Sequence, residues 1–181
     1  MAFGPVERKQ IKNAVERVLH VPGNYQGGVL EMAMVFDCNL SETCVRQAGK
    51  EIAALLKSHS EVFRNVRLNT ICWEGDGELV KEVTSIPHLQ MGRCFDGYRC
   101  RRDKKRLELL AGELKKFYAR SKLILLFTDG DCQVEDDELF EENMHPFLYR
   151  KFIVIQPGAG GQEADGWQAK VHTGMEKDWM W

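Results

Sequence analysis

Apolar residues follow three patterns along this chain. Residues 29–36, 123–127 and 151–155 form short, nearly continuous apolar runs, the signature of strands buried on both faces. Residues 66–73 alternate apolar with polar, stop at Gly75, Asp76 and Gly77, and resume over 78–86 with Leu79 and Val83 until Pro87. That spacing predicts a hairpin pair. The third pattern places apolar residues three and four apart among charges, which predicts amphipathic helices. It occurs over 6–19 (Ile11, Val15, Val18, Leu19), from Val45 through Ala48, Ile52, Leu55 and Leu56 to Ser58, and from Leu107 through Leu110, Ala111, Leu114 and Phe117 to Tyr118.

Local signals refine the ends of these helices. Pro22 and Gly23 stop the first; Ser41 with Glu42 starts the second; Asp103 is the candidate N-cap of the third. Residues 135–143 read as an acidic helix that ends ahead of Pro146, because proline disfavours α geometry in the residue before it. Strands alternating with helices predict an α/β fold, a mostly parallel central sheet covered on both faces.

A length of 181 residues supports one well-buried core, and no linker composition divides the chain. The expected organisation is a single domain over 1–181, with its core at about 28–158, an N-terminal helix at about 6–19 and a C-terminal tail, 159–181, containing Trp167, Trp179 and Trp181. A formal net charge of −2 supplies no field toward nucleic acid or an anionic membrane. Residues 1–5 carry no basic leader, and no apolar stretch reaches membrane-spanning length, so a cytoplasmic protein is expected. The six cysteines form no C-x-x-C pair, which favours reduced thiols.

Candidate chemistry collects where two apolar runs end. Asp37-Cys38-Asn39-Leu40-Ser41 follows the first run, and Thr128-Asp129-Gly130-Asp131 follows 123–127. In an open α/β sheet, ligands bind at the carboxyl ends of strands, where strand order reverses. Two loops rich in oxygen ligands at that edge could share one hard cation.

Taken in order, the apolar strand, the D-x-N-x-S loop, helix, hairpin, helix, apolar strand, T-D-G and a last helix-strand unit resemble a von Willebrand factor type A domain. The resemblance covers roughly residues 28–158. It implies a Rossmann-like fold with one antiparallel edge strand, to which the helix expected at about 6–19 is an extra N-terminal element. It also implies a non-enzymatic interaction module, of the kind found in bacterial multiprotein assemblies, binding a partner's acidic side chain through Mg or Mn or through a metal-free top surface. Asp37, Asn39, Ser41 and Asp129 would be the metal residues, with Asn39 standing where the family usually has Ser. The family's middle-loop Thr has no counterpart, since no Ser or Thr lies between Ser85 and Ser121. Asp96 is a substitute ligand there, and an arginine fork from Arg99 or Arg101 over Asp37 and Asp129 is the metal-free alternative. Arg99, Arg101, Arg102 and Asp131 are the expected partner-binding residues.

Other constellations compete. Cys38, Cys94, Cys100 and Cys132 all fall in loops expected at this edge; convergent thiolates would select Zn over Mg, although no zinc spacing is present. A Cys94 to Cys100 disulfide is a further alternative. The loop at Asp37 also bears a faint likeness to haloacid dehalogenase-like phosphatases, with Asp37 as nucleophile and Asp131, Asp136 and Asp137 as downstream acids for Mg. Against that, Asn39 stands where a proton-transferring Asp is required and cannot move a proton. Basic residues between Arg93 and Arg106 and acidic ones between Asp131 and Glu142 read first as solvated faces that can screen each other. Nucleic-acid binding lacks interleaved aromatics, no Gly-rich phosphate loop follows a strand, and the histidines share no ligand spacing.

Overall fold

The computed structural model describes residues 5–19, 30–58, 66–76, 78–85, 98–101, 103–147 and 151–156. Its strands are β1 (Leu30–Asp37), β2 (Val66–Gly75), β3 (Glu78–Ser85), β4 (Leu123–Phe127) and β5 (Phe152–Ile155). Its helices are α1 (Pro5–Leu19), α2 (Glu42–Ser58), α3 (Leu107–Tyr118) and α4 (Asp137–Met144), the last followed by a short 3₁₀ turn, His145–Phe147. Ile86, the segment 87–97, Arg102 and the Trp-containing tail lie outside the described residues, and with them Asp96 and Cys94.

The strand order is β3-β2-β1-β4-β5. β1 pairs in parallel with both β2 and β4, and β5 continues in parallel from β4. β3 returns antiparallel along β2 through the turn at Asp76. The fold is therefore α/β around a parallel core of β2, β1, β4 and β5, as the alternation of apolar runs and amphipathic segments requires.

Side chains alternate across the sheet and build two separate cores. Met32, Met34 and Phe36 of β1, with Leu123, Leu125 and Phe127 of β4, face Val15 and Val18 of α1 and Val45, Ala48 and Ile52 of α2. Ala33, Val35, Ile124 and Leu126 point the other way, onto Leu110 and Leu114 of α3 and Phe140 and Met144 of α4. Because both faces are covered, β4 is buried throughout and β1 at every position but Glu31, which explains why their sequences are largely apolar without alternation. Gly112 permits the close approach of α4: a Cβ there would stand 3.1 Å from the Asn143 amide nitrogen, and that nitrogen donates to the Glu108 carbonyl.

Helix ends follow short-range chemistry in two cases and depart from it in one. The Cys44 amide donates to Ser41 Oγ at 3.2 Å at the start of α2, and Asp136 caps α4 by accepting from the Leu139 amide. Asp103 does not cap α3. That helix begins at Leu107 behind Arg106, with no side-chain cap, and Asp103 instead pairs with Arg101. Among the described residues, no helix is long and apolar enough to cross a membrane.

Candidate functional site

Strand order reverses between β1 and β4, so the loops that leave these strands, 38–41 and 128–131, stand side by side at the carboxyl edge of the sheet. Beneath them the rings of Phe36 and Phe127 stack at 4.9 Å within the core under α1 and α2. Asp37 closes β1 and is entirely shielded from solvent. A buried carboxylate is costly unless its oxygens are satisfied, and here they are. Oδ1 accepts the Asn39 amide at 2.9 Å, and Oδ2 accepts the Thr128 hydroxyl at 2.7 Å.

The third partner is a lysine. Lys105 Nζ lies 3.3 Å from Asp37 Oδ1, and both side chains are 0% exposed. The same ammonium donates to Asn39 Oδ1 at 2.9 Å and approaches the carbonyls of Arg101 and Asp103 at 3.4 and 3.5 Å. Its backbone is held by pairing that is remote in sequence. The Gln133 amide donates to the Lys105 carbonyl at 3.1 Å, and the Leu107 amide donates to the Gln133 carbonyl at 2.8 Å. In this extended stretch Lys104 is exposed, Lys105 buried and Arg106 half-buried. Arg106 is anchored in turn by Asp76, which accepts both its amide, at 2.7 Å, and its Nε, at 2.9 Å, tying the hairpin turn to the start of α3.

Burial pushes the Asp37 carboxyl above the ordinary range for aspartate. The Asn39 amide, the Thr128 hydroxyl and Lys105 oppose that rise, while the charge of Asp129 adds to it. The remaining expected metal residues are engaged locally. Ser41 is exposed and its Oγ caps α2. Asp129 is half-buried and accepts the Asp131 amide at 2.9 Å, within a turn whose Gly130 has φ of 88°, a value that favours glycine. Asn39 reaches across to the second loop, its Nδ2 donating to the Asp131 carbonyl at 3.4 Å.

These residues do not fit a divalent ion. Mg²⁺ requires near-octahedral oxygen ligands at about 2.0–2.1 Å, but the Asp37 and Asn39 oxygens converge on an ammonium. Among the described residues, no group of three or more His, Cys, Asp or Glu could hold a metal. The same engagement bears on nucleophilic chemistry: Asp37 exposes no oxygen for attack, and Asn39 offers no exchangeable acid.

Above this buried centre opens a polar groove of about 360 Å³, lined by Asp103, Lys104, Lys105, Asp131, Cys132 and Gln133. Tyr98 ties its own segment to the first loop: its hydroxyl donates to the Leu40 carbonyl at 2.7 Å and lies 3.2 Å from that of Asp37. The Arg101 amide also donates to the Cys38 carbonyl. The Arg101 guanidinium pairs outward with Asp103 and Glu74, and Arg99 is exposed. The cation over Asp37 is thus Lys105, in place of the arginine fork that the basic loop suggested. Charge screening between the two runs does occur: Lys104 and Arg106 both pair with Glu135.

Among the described residues, the thiols of the expected cluster are divided between the two cores and the surface. Cys38 belongs to the core under α1 and α2, whereas Cys132 belongs to the one under α3 and α4. A hydrogen bond with the Cys72 thiol, and then burial, push the Cys38 thiol up. Burial does the same to Cys132, reinforced by the charge of Asp37. Cys100 is exposed, with its Sγ 3.7 Å from the Asn39 carbonyl. Cys38 and Cys132 thus sit in environments of protonated thiols, not of thiolate ligands.

Three participants escaped sequence reasoning: Lys105, Thr128 in its role as donor to Asp37, and the Asp76 clamp on Arg106. No protein-family model matches the chain, and no significant match is found among curated proteins or solved structures.

Proposed function

We propose that this protein is a non-enzymatic interaction module of the von Willebrand factor A kind, which binds a partner protein at the carboxyl edge of its sheet through a surface that works without a divalent ion. The observation that carries this reading is the groove beside the β1/β4 reversal, lined by Lys104, Asp131, Gln133 and Lys105, the last paired with the buried Asp37. A sheet edge of this kind is where α/β proteins bind ligands. The centre beneath it is built to be rigid and chemically quiet.

The groove carries both signs of charge, so a polar partner segment suits it better than an apolar one. An acidic side chain of the partner would compete with Glu135 for Lys104, or with Asp103 for Arg101, both of which are exposed pairs. Exposed pairs of this kind exchange at little cost. Reaction chemistry at Asp37 would require its carboxylate to leave three donors and reach solvent, which argues against a phosphatase role.

The test is affinity capture from cells of origin with the wild-type chain and with Lys104→Glu and Asp131→Arg, each in Mg²⁺ and in EDTA. The proposal expects a partner captured equally with and without Mg²⁺ and lost in both groove variants. A partner set unchanged by the groove variants, or one abolished by EDTA, would overturn it.

A further inference from the structure

We infer that Lys105 is the built-in cation of this edge: its ammonium occupies the point toward which the Asp37 and Asn39 oxygens converge, and it keeps divalent ions out. Four oxygens surround Nζ, those of the Asn39 and Asp37 side chains at 2.9 and 3.3 Å and the Arg101 and Asp103 carbonyls at 3.4 and 3.5 Å. This is a cation cage with the cation supplied by the chain itself. It deepens the metal-free reading given above and rests on it.

Physical chemistry favours the resident. An ammonium carries three protons to satisfy, and the cage offers one short acceptor, Asn39 Oδ1 at 2.9 Å, and three longer ones at 3.3, 3.4 and 3.5 Å. A magnesium ion would require the same oxygens to contract to about 2.0–2.1 Å and the lysine to leave. Departure of Lys105 would break the contacts from Nζ to the Arg101 and Asp103 carbonyls, and the Lys105 carbonyl is held by the Gln133 amide. The dication would gain a single buried carboxylate, because Ser41 and Asp129 are committed to a helix cap and a turn. The resident cation is therefore fixed in place and independent of metal supply.

Removal of the ammonium leaves the oxygens of the cage around an uncompensated carboxylate. In Lys105→Ser the point vacated by Nζ is open to a hydrated divalent cation, with water filling the space of the lysine stem, since a serine hydroxyl is too short to reach it. The experiment is titration of the full chain with Mn²⁺ alone, followed by electron paramagnetic resonance. The wild type is expected to show no stoichiometric site. Lys105→Ser is expected to take up about one Mn²⁺ per chain, as one cage of hard oxygen ligands should. Its affinity should be at least about tenfold higher than that of the wild type, and Asp37→Ala in the same background should abolish uptake. A folded Lys105→Ser chain that binds no Mn²⁺ overturns the inference.

A second readout serves if circular dichroism shows that Lys105→Ser does not fold. Acylation of the native wild-type chain, read by peptide mass spectrometry, should leave Lys105 protected relative to Lys104, equally with and without Mg²⁺. Stoichiometric Mn²⁺ uptake by the wild type, or Lys105 becoming as reactive as Lys104 when Mg²⁺ is added, overturns the inference. These readouts involve no partner, so failure of the partner-binding proposal leaves them unaffected, and the reverse also holds.

Discussion

Thr128 donates its hydroxyl to Asp37 Oδ2 at 2.7 Å across the reversal of strand order, joining the ends of β4 and β1 through two side chains that are 0% exposed. The same hydroxyl oxygen accepts the Gly130 amide at 3.0 Å, so one atom aligns Asp37 and shapes the turn after β4. Thr128→Val keeps the volume and removes both bonds, leaving a buried Asp37 oxygen short of its donor. The expected loss is about 1–3 kcal/mol of unfolding free energy, the usual cost of stranding buried polar groups. Urea denaturation of the variant measures it. A change indistinguishable from zero would mean that the Thr128 to Asp37 bond does not organise the edge.

The elements of this fold were legible where apolar spacing is local. Val45, Ala48 and Ile52 mark a helix face at a spacing that any reader of periodicity finds, and all are buried under β1. The apolar runs of β1 and β4 announced strands for the same reason. Asp37 was legible as a site residue because it ends such a strand. Lys105 was not, since nothing local separates it from Lys104 and Arg106. Its burial depends on an extended backbone paired with Gln133, a contact remote in sequence that spacing within the basic run cannot reveal. Ser41 and Asp129 were found for oxygens that the structure spends on a cap and a turn, a competing use that side chains of this type always have.

Thiol reactivity separates a thiolate cluster from dispersed thiols. Cys132 is buried and its thiol is pushed up by burial and the charge of Asp37. Cys38 is raised by its bond with Cys72 and by burial. Cys100 is exposed. Alkylation of the native chain with iodoacetamide at neutral pH should modify Cys100 well before Cys38 or Cys132, because the thiolate is the reacting species. Peptide mass spectrometry of timed samples reads the order. Rapid modification of Cys132 at a rate matching Cys100 would contradict the placement described here.

The link between the basic and acidic runs predicts a pH dependence. Lys104, by hydrogen bond and charge, and then Arg106 hold the Glu135 carboxyl below its ordinary value of 4.5. A depressed folded-state value means that the folded chain binds its proton later than the unfolded chain as pH falls. The stabilisation is complete above about pH 4.5 and disappears as pH drops through the lowered value. Comparing the wild type with Glu135→Gln by denaturant midpoint should give a constant stability gap at neutral pH that closes below pH 4.5. A gap that stays unchanged down to the acid transition would show that this exposed contact contributes nothing, as many surface pairs do.

Lys105 and Asp37 carry the central claim, that an internal ion pair closes the binding edge of this sheet. Breaking a buried pair from one side leaves an uncompensated charge, at a cost of about 3–5 kcal/mol, whereas replacing both partners removes that charge. The decisive measurement is a double-mutant cycle of unfolding free energies for the wild type, Asp37→Asn, Lys105→Met and the double variant. Strong destabilisation in each single variant is expected, with the double variant falling short of their sum by about 2 kcal/mol or more. Additivity to within about 0.5 kcal/mol would contradict the account, because the two groups would then not be energetic partners.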